Sequence, residues 1–361
     1  MAKSRFTVFD GDGHVLENDE ELARYYDGEF KGMRFFKPWS IFPSLDGWAR
    51  GVVMATDDPD RKYGHTDAKI WGGILDMINA EGSVLYPTAG LAHGLITDTR
   101  WAVATAIAYN NWLEDLYCKK DKRLYGVGLL AAQDPAEAAK ELVRCKTKRT
   151  NFVGMLLPTV TNTGKTYGDK SFWPIYEAAE KHNMPLALHG APSRGFGFDH
   201  FREFASVHAL EHPVPLMIQL TDMVYSGVFD DFPKLKVAYL EGGCGWVPFL
   251  MTQLDMEVKH RSYAAYSQKS GVTLQRRPSE YFDRFYVAAC SYEPYLGDIA
   301  RQWKNNRLVI GSDFDHGDPI ATWPETVRQL RAQPGLDRTQ QDRILGGNAA
   351  ELFGLEVTVP A

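Results

Sequence analysis

Three side chains near the start of the sequence combine residue types and a spacing that suit a metal ion. Asp12 and His14 lie two positions apart after a β-branched and aromatic run, so on an extended strand both side chains project to the same face. Glu17 follows where the strand pattern ends, and Gly11 and Gly13 leave room for an ion beside the backbone. Imidazole and carboxylate groups both bind first-row metals, so this stretch favours a metal site over a solvated strand end.

The elements that must position these groups alternate between strands and helices along the rest of the chain. Apolar runs of strand length recur about eight times, separated by segments with helical periodicity. Continuously apolar strands are covered on both faces, which indicates an α/β fold, a (β/α)8 TIM barrel, rather than an open sheet. After the first strand, the predicted strands are 83–87, 124–130, 152–157, 184–189, 235–241, 284–288 and 307–313, and the later predicted helices include 172–182, 204–226, 245–260 and 293–304.

The carboxyl ends of these strands carry further metal-type side chains. His189, Glu241 and Asp313 each end a predicted strand, as Asp12 and His14 do. Active sites of TIM barrels assemble at this end from several strands, so we expect the five side chains to meet. Any one of them could serve as a loop cap, but four such strand ends predict a shared site.

The length suits a single barrel domain covering residues 1–361. Glycine and proline interrupt every helical pattern between about 18 and 72, so we interpret residues 18–72 as an insertion after the first strand. This insertion is rich in aromatic residues, and we expect it to cover the barrel mouth or to contact another subunit. The aromatic residues are Tyr25, Tyr26, Phe35, Phe36, Trp39, Phe42 and Trp48.

Composition excludes several classes of partner. The net charge of −6 and the lack of a basic run argue against a nucleic-acid partner. No apolar stretch is long enough to span a bilayer, and no basic start precedes an apolar segment. The four cysteines are scattered without paired spacing, so we expect reduced thiols in a cytoplasmic enzyme.

Motifs that carry a family resemblance extend over nearly the whole chain, from Asp10 to Leu355. They are Asp12-Gly-His14, His189 after an apolar strand, Ser226-Gly-Val-Phe-Asp-Asp-Phe-Pro-Lys-Leu-Lys-Val237, Leu240-Glu-Gly-Gly-Cys-Gly-Trp246, Gly311-Ser-Asp313-Phe-Asp-His316 and Ile344-Leu-Gly-Gly-Asn-Ala-Ala-Glu-Leu-Phe353. With these motifs the chain resembles the amidohydrolase-related proteins of the aminocarboxymuconate-semialdehyde decarboxylase type. The resemblance implies a metal-dependent barrel but leaves the reaction open, because this fold hosts several chemistries.

The resemblance also implies a ligand set. The first-strand pair of the family falls on Asp12 and His14, the fifth-strand histidine on His189 and the eighth-strand aspartate on Asp313. The family more often opens with His-x-His, so the first aspartate is a departure. A second departure concerns the reaction, because the decarboxylases end the sixth strand with a proton-donating histidine where this chain has Glu241.

Charge balance favours a second metal ion. Asp12 and Asp313 offset one divalent ion, but Glu17 and Glu241 beside them would bring four carboxylates together, and some would protonate. A second ion relieves this repulsion, and His212 supplies a neutral ligand. Carboxylates with imidazoles suit two divalent ions, iron or manganese, with zinc also possible. In the alternative, Glu241 hydrogen-bonds into the glycine turn that follows it and Glu17 is a surface residue.

Three other histidines lie close to these motifs in the sequence. His208 and His212 are four residues apart and therefore share a helix face, and Pro213 breaks or kinks the helix just beyond them. We expect one of the two to point inward and favour His212. His316, three residues after Asp313, is a candidate substrate contact or supporting residue.

Two classes of enzyme compete, and both act on a small-molecule substrate of the carboxylate type. One is an oxygen-activating hydroxylase (monooxygenase) with a dinuclear metal site, because some members resembling this chain around Leu240–Trp246 are non-haem dinuclear iron hydroxylases. The other is a hydrolase or non-oxidative decarboxylase that uses a metal-bound water. We favour the oxygenase because Glu241 replaces a histidine, with His212 and His316 as further catalytic candidates. A non-catalytic paralogous subunit is the third possibility, and we expect a homo-oligomer or a hetero-oligomer with such a subunit.

Overall fold

We describe the protein from a computed structural model, which covers residues 8–33, 40–44, 66–191, 195–303, 306–314, 316 and 325–356. Its strands form one eight-stranded parallel sheet in sequence order, and each strand pairs with the next. The strands are β1 Val8–Val15, β2 Ala80–Pro87, β3 Leu124–Leu129, β4 Phe152–Pro158, β5 Leu186–His189, β6 Val237–Leu240, β7 Phe285–Ala288 and β8 Leu308–Val309.

The sheet closes between β1 and the segment that follows β8. Three backbone N–H groups donate across this seam: Gly11 to Ile310 (3.1 Å), Asp313 to Asp12 (2.9 Å) and His14 to Phe314 (2.6 Å). These bonds continue the alternating pattern of a parallel ladder. The prediction of a (β/α)8 TIM barrel is confirmed.

Helices connect the strands on the outside of the barrel. α3 and α4 begin where Asp98 and Asp134 accept hydrogen bonds from backbone N–H groups of the first turn, and Pro135 stands at the start of α4. The α-helices are α1 Asp19–Leu22, α2 Ala68–Ile78, α3 Thr99–Leu113, α4 Pro135–Lys148, α5 Trp173–Lys181, α6 Phe204–Glu211, α7 Pro213–Tyr225, α8 Val228–Asp231, α9 Trp246–Glu257, α10 Arg261–Ser270, α11 Leu296–Gln302, α12 Glu325–Ala332, α13 Arg338–Asp342 and α14 Asn348–Phe353. Shorter 3-10 segments include Ala23–Tyr25, Gly28–Phe30, Ala89–Leu95, Lys170–Phe172, Phe198–His200 and Pro278–Arg284, and π-helical turns cover Glu114–Cys118 and Arg343–Gly347.

The structure corrects two boundaries and adds one helix. The predicted helix over 204–226 is two helices, because Pro213 has no N–H with which to continue the helical ladder beyond His212. The last strand is much shorter than 307–313, and the backbone after it bonds to β1 instead. Helix α2 was not predicted: its two adjacent glycines suggest a break, but Asp67 caps it and its apolar side packs on the core.

The described part of the predicted insertion packs beside the barrel wall formed by α3. The Tyr26 ring stacks on Trp101 with centroids 4.6 Å apart, and its hydroxyl lies 2.8 Å from that of Thr105. Phe42 contacts His93 in the 3-10 segment that follows β2, which is the carboxyl end of the barrel. Phe35, Phe36, Trp39 and Trp48 lie outside the described residues, so the covering role of the insertion stays a prediction.

Across the described residues, none of the helices combines the length and apolar character needed to cross a membrane. The four cysteines are free thiols, and three of them are buried.

Candidate metal centre

The ends of β1 and β5 place three potential ligands within the barrel mouth. The Oδ1 atom of Asp12 lies 3.3 Å from Nε2 of His189 and 3.8 Å from Nε2 of His14. All three residues are buried. Asp12 and His14 share a face of β1, as their two-residue spacing predicts. Together they would supply one carboxylate and two imidazoles to a divalent ion.

His14 has the properties of an unused ligand. Its Nδ1 lies 3.0 Å from the Pro87 carbonyl, which accepts a hydrogen bond from this nitrogen and so leaves Nε2 with a lone pair. Among the described residues Nε2 has no hydrogen-bond partner, although it is fully buried. Burial, with His316 and His189 nearby, holds the pKa of His14 well below its ordinary value, so the ring is neutral. A buried neutral nitrogen without a partner fits a metal ion.

Asp313 joins this cluster from the segment after β8. Its Oδ1 lies 3.5 Å from Nε2 of His14 and 2.7 Å from Nδ1 of His316. The other nitrogen of His316 lies 2.9 Å from the Thr88 hydroxyl, so His316 bridges the ends of β2 and β8. The ligand atoms of His14, Asp313 and His316 form a second possible metal-binding group, which shares His14 with the first.

Glu241 follows β6 and lies against His189 from the opposite side. Its Oε2 is 3.1 Å from Nδ1 of His189 and 4.0 Å from Nε2 of His212. Glu241 has φ of +58° and Asp313 has φ of +49°, so both carboxylates leave their strands from left-handed backbone. Non-glycine residues in this region store strain of about 1–3 kcal/mol and concentrate at functional sites.

The pKa values of Asp12 and His189 show how the charges of the cluster balance. Burial raises the pKa of Asp12 to about 6, against the opposing effect of His189. Burial lowers the pKa of His189, but the carboxylates of Asp12 and Glu241 outweigh it and raise that pKa well above the ordinary value. Without a metal, the His189 cation therefore balances the surrounding carboxylates. A divalent ion would take over this balance and release the proton.

Glu17 lies apart from these ligand groups and has other partners. Its carboxylate accepts hydrogen bonds from the backbone N–H groups of Thr88 (3.2 Å), Ala89 (3.0 Å) and Gly90 (2.8 Å). Burial raises the pKa of Glu17 to about 7 against these three donors. The structure thus makes Glu17 the anchor of the loop that carries Thr88, and does not bring it into either group of potential ligands around His14.

His212 and His208 are placed as the sequence predicts, with His212 nearer the barrel mouth. The His208 side chain is 56% exposed, whereas His212 is 13% exposed and faces Glu241. Of the seven proposed ligands, the structure brings together Asp12, His14, His189 and Asp313, with Glu241 and His212 at the edge of the cluster.

Sequence reasoning missed Asp10 and Tyr86. Fully buried Asp10 accepts hydrogen bonds from the hydroxyls of Ser83 (2.7 Å) and Ser312 (2.8 Å), and so ties β1 to β2 and to the segment after β8. The Tyr86 ring lies 5.5 Å from the His189 ring, and its buried hydroxyl has no hydrogen-bond partner among the described residues. The alternation of β1 could have identified Asp10 as inward-facing, but its partners are distant in sequence.

Comparisons with known proteins are consistent with this geometry. The sequence profile of the amidohydrolase family matches residues 82–355. The 2-amino-3-carboxymuconate-6-semialdehyde decarboxylase of Dictyostelium discoideum is 24% identical over 248 residues, which cover 68% of this chain and 66% of that protein. The gamma-resorcylate decarboxylase of Polaromonas sp. is 26% identical over 305 residues, covering 78% and 86%.

A solved structure supports the fold. The 5-carboxyvanillate decarboxylase of Novosphingobium aromaticivorans, complexed with manganese and 4-hydroxy-3-methoxy-5-nitrobenzoic acid, superposes with a TM-score of 0.74. It is 18% identical, and the match covers 98% of each chain.

Proposed function

Since this chain belongs to the amidohydrolase family, we propose that it is a metal-dependent enzyme that decarboxylates a small carboxylate substrate without an oxidant. This reverses the preference for an oxygenase that the sequence favours. Relatives named as decarboxylases support the change. The four ligands at the barrel mouth also support it, because their two carboxylates offset the charge of one divalent ion. The observation that carries the proposal is the convergence of Asp12, His14, His189 and Asp313, with a buried and unpaired nitrogen on His14.

These four residues would hold one divalent ion, and manganese is the first candidate because a structural relative is complexed with it. The bound ion would polarise an oxygen of the substrate and offset its negative charge. Two carboxylates and two neutral imidazoles also suit iron or zinc. The metal must therefore be identified by comparing the activity of the metal-free protein after it is reloaded with each ion.

The proton that replaces the lost carboxyl group requires a donor near the ion. Glu241 occupies the position of the family's histidine, but it forms an ion pair with His189. Burial raises the pKa of Glu241, but His212 and His189 outweigh this effect and lower it, so the carboxylate carries no proton to deliver. His316 is the better candidate. Burial lowers the pKa of His316, but Asp313 reverses this effect and raises it above its ordinary value. We therefore assign proton delivery to His316, with Thr88 orienting the ring.

The experiment uses the purified protein, which is stripped of metal, reloaded with manganese, iron or zinc under nitrogen, and then assayed both under nitrogen and in air. Hydroxylated aromatic carboxylates are the first substrates to assay, because two of the relatives are named as decarboxylases of such compounds, gamma-resorcylate and 5-carboxyvanillate. Release of carbon dioxide that requires metal and not oxygen is the expected result. Failure of every metal form to release carbon dioxide, with oxygen consumed instead, would reject decarboxylation.

The position of Glu241 supports a second candidate function, an oxygen-activating enzyme with a dinuclear metal site. Glu241 lies within 4.0 Å of both His189 and His212, so a second ion could bind between Glu241 and His212. Three ligands were predicted for this second ion: Glu17, His212 and Glu241. Glu17 instead accepts hydrogen bonds from the loop at 88–90, so only two of the three face the proposed position. Substrate-dependent oxygen uptake with two iron or manganese ions per chain would favour this candidate.

A further inference from the structure

Helix α6 ends in a sequence that neither candidate reaction uses as a unit. His208, Glu211 and His212 form the pattern His-x-x-Glu-His, with ligand-type side chains at positions i, i+3 and i+4. His212 keeps helical backbone angles, φ −83° and ψ −56°, although Pro213 ends the hydrogen-bonded helix there. The three side chains therefore lie on one face of the helix.

The three side chains are close enough to share an ion. One ligand atom from each residue lies within 4.8 Å of the other two. Nδ1 of His208 is already 3.0 Å from Oε1 of Glu211, and the two imidazole rings are 5.1 Å apart at a steep angle. Ligand atoms around a tetrahedral zinc ion are separated by roughly 3.4 Å, which follows from bond lengths of about 2.0–2.1 Å.

Burial and exposure are divided among the three residues as a metal site requires. Glu211 is fully buried beside His208, so its carboxylate is held in place as a possible ligand. His208 is 56% exposed, which gives an ion access and leaves room for solvent ligands. The Phe204 ring stacks on His208 at 5.2 Å and limits the positions of the imidazole.

We propose that His208, Glu211 and His212 form a site for a divalent transition-metal ion, separate from the metal centre at Asp12 and His14. Two imidazoles and one carboxylate suit zinc or cobalt better than calcium or magnesium. The site differs from the second site predicted from the sequence, because it uses neighbours of His212 on its own helix in place of Glu17 and Glu241. The site does not depend on decarboxylation, but it would compete for His212 with the second ion of the oxygen-activating candidate.

The test counts zinc ions per chain in four forms of the full-length protein after dialysis against zinc and buffer. The forms are the wild type, H208A, H200A and the double variant H14A/H189A. H208A removes a half-exposed side chain and is expected to fold. H200A removes another exposed histidine of the same region and serves as the matched control. Circular dichroism checks folding, and cobalt(II) spectra report the nitrogen and oxygen donors of each site.

H208A is expected to bind one ion fewer than H200A, and H14A/H189A is expected to retain one ion. The cobalt bands of H14A/H189A should disappear when H208A is added to that variant. Equal ion counts in H208A and H200A would overturn the proposal, as would a folded H14A/H189A protein that binds no zinc. If the wild type and H200A bind one ion and H208A binds none, the helix site stands and the proposed metal centre fails.

Discussion

Glu241 Oε2 lies 3.1 Å from Nδ1 of His189, while Nε2 of the same ring lies 3.3 Å from Asp12. A carboxylate on the far nitrogen of a ligating histidine fixes the ring orientation and directs Nε2 to the metal. We therefore propose for Glu241 a supporting role that requires no second ion. In this supporting role Glu241 does not deliver a proton, as the histidine of the decarboxylases does, so another group must deliver it.

Glu241→Gln separates these roles. If Glu241 supports His189, the variant keeps the central ion but binds it roughly 10–100-fold more weakly, because glutamine is a weaker acceptor. Titration with manganese against a chelator measures this change, and exposed Glu203→Gln is the control. Loss of one of two ions at saturating metal would instead identify Glu241 as a ligand of a second ion.

Replacing a proposed ligand should remove the metal without unfolding the barrel. His14→Ala and His189→Ala are each expected to lose the ion of the metal centre at the barrel mouth, but not an ion at the helix site, because each removes an imidazole from the four-residue ligand set. His93→Ala is a contrasting control, since His93 is buried and bonds to the Ala102 carbonyl at 2.8 Å. That variant should lose about 1–3 kcal/mol of unfolding free energy and keep its metal. Elemental analysis and urea unfolding distinguish the two outcomes.

The barrel and the centre of the site could be predicted because both depend on periodic features of the sequence. Apolar runs separated by helices identify the strands, and each parallel strand ends at the same rim. His189 and Asp313 could therefore be placed beside Asp12 and His14 before any contact was known. The exact register between strands is not needed for this inference, because all the parallel strands end at the same side of the barrel.

Glu17 shows where such reasoning ends. Its residue type and position suit a ligand, but its partners are backbone N–H groups at 88–90, about seventy residues away. Backbone donors are not visible in the residue types of a sequence, so this contact could not be predicted. The break at Pro213 was expected, yet periodicity alone extended the helix through it.

Glu17→Gln tests the anchor role. Glutamine offers one carbonyl oxygen where the carboxylate offers two, so at least one of three backbone donors loses its acceptor. We expect the unfolding free energy to fall by about 1–3 kcal/mol, with metal content unchanged. Urea unfolding and elemental analysis provide the two measurements. A variant of unchanged stability that has lost an ion would restore Glu17 as a ligand.

Gly311→Ala tests the seam between β1 and the segment after β8. A Cβ at Gly311 would lie 2.2 Å from the Cβ of Asp12 and 2.7 Å from its backbone oxygen. The variant should therefore lose about 1–3 kcal/mol of unfolding free energy and bind metal more weakly, because Asp12 is displaced. Gly73→Ala is the matched control, as nothing lies within 4 Å of its added Cβ. The control should be neutral or more stable by about 0.5–1 kcal/mol.

Metal affinity should depend on pH in a defined way. The ion must displace a proton from His189 throughout the neutral range, because nearby Asp12 and Glu241 overcome the effect of burial and raise the pKa of that ring. Below about pH 6 the ion must also displace a proton from Asp12, whose pKa burial raises to about 6. His14 contributes no proton, since burial keeps the ring neutral.

The logarithm of the metal association constant should therefore rise by about one per pH unit between pH 6.5 and 7.5, and by about two per unit below pH 5.5. Competition with a chelator of known proton affinity measures both slopes with manganese or zinc, and the helix-site variant H208A simplifies the count. Asp12→Asn should bind more weakly and lose the steeper slope at low pH. An affinity that does not change between pH 5 and 7.5 would show that His189 and Asp12 are not the groups that receive the ion.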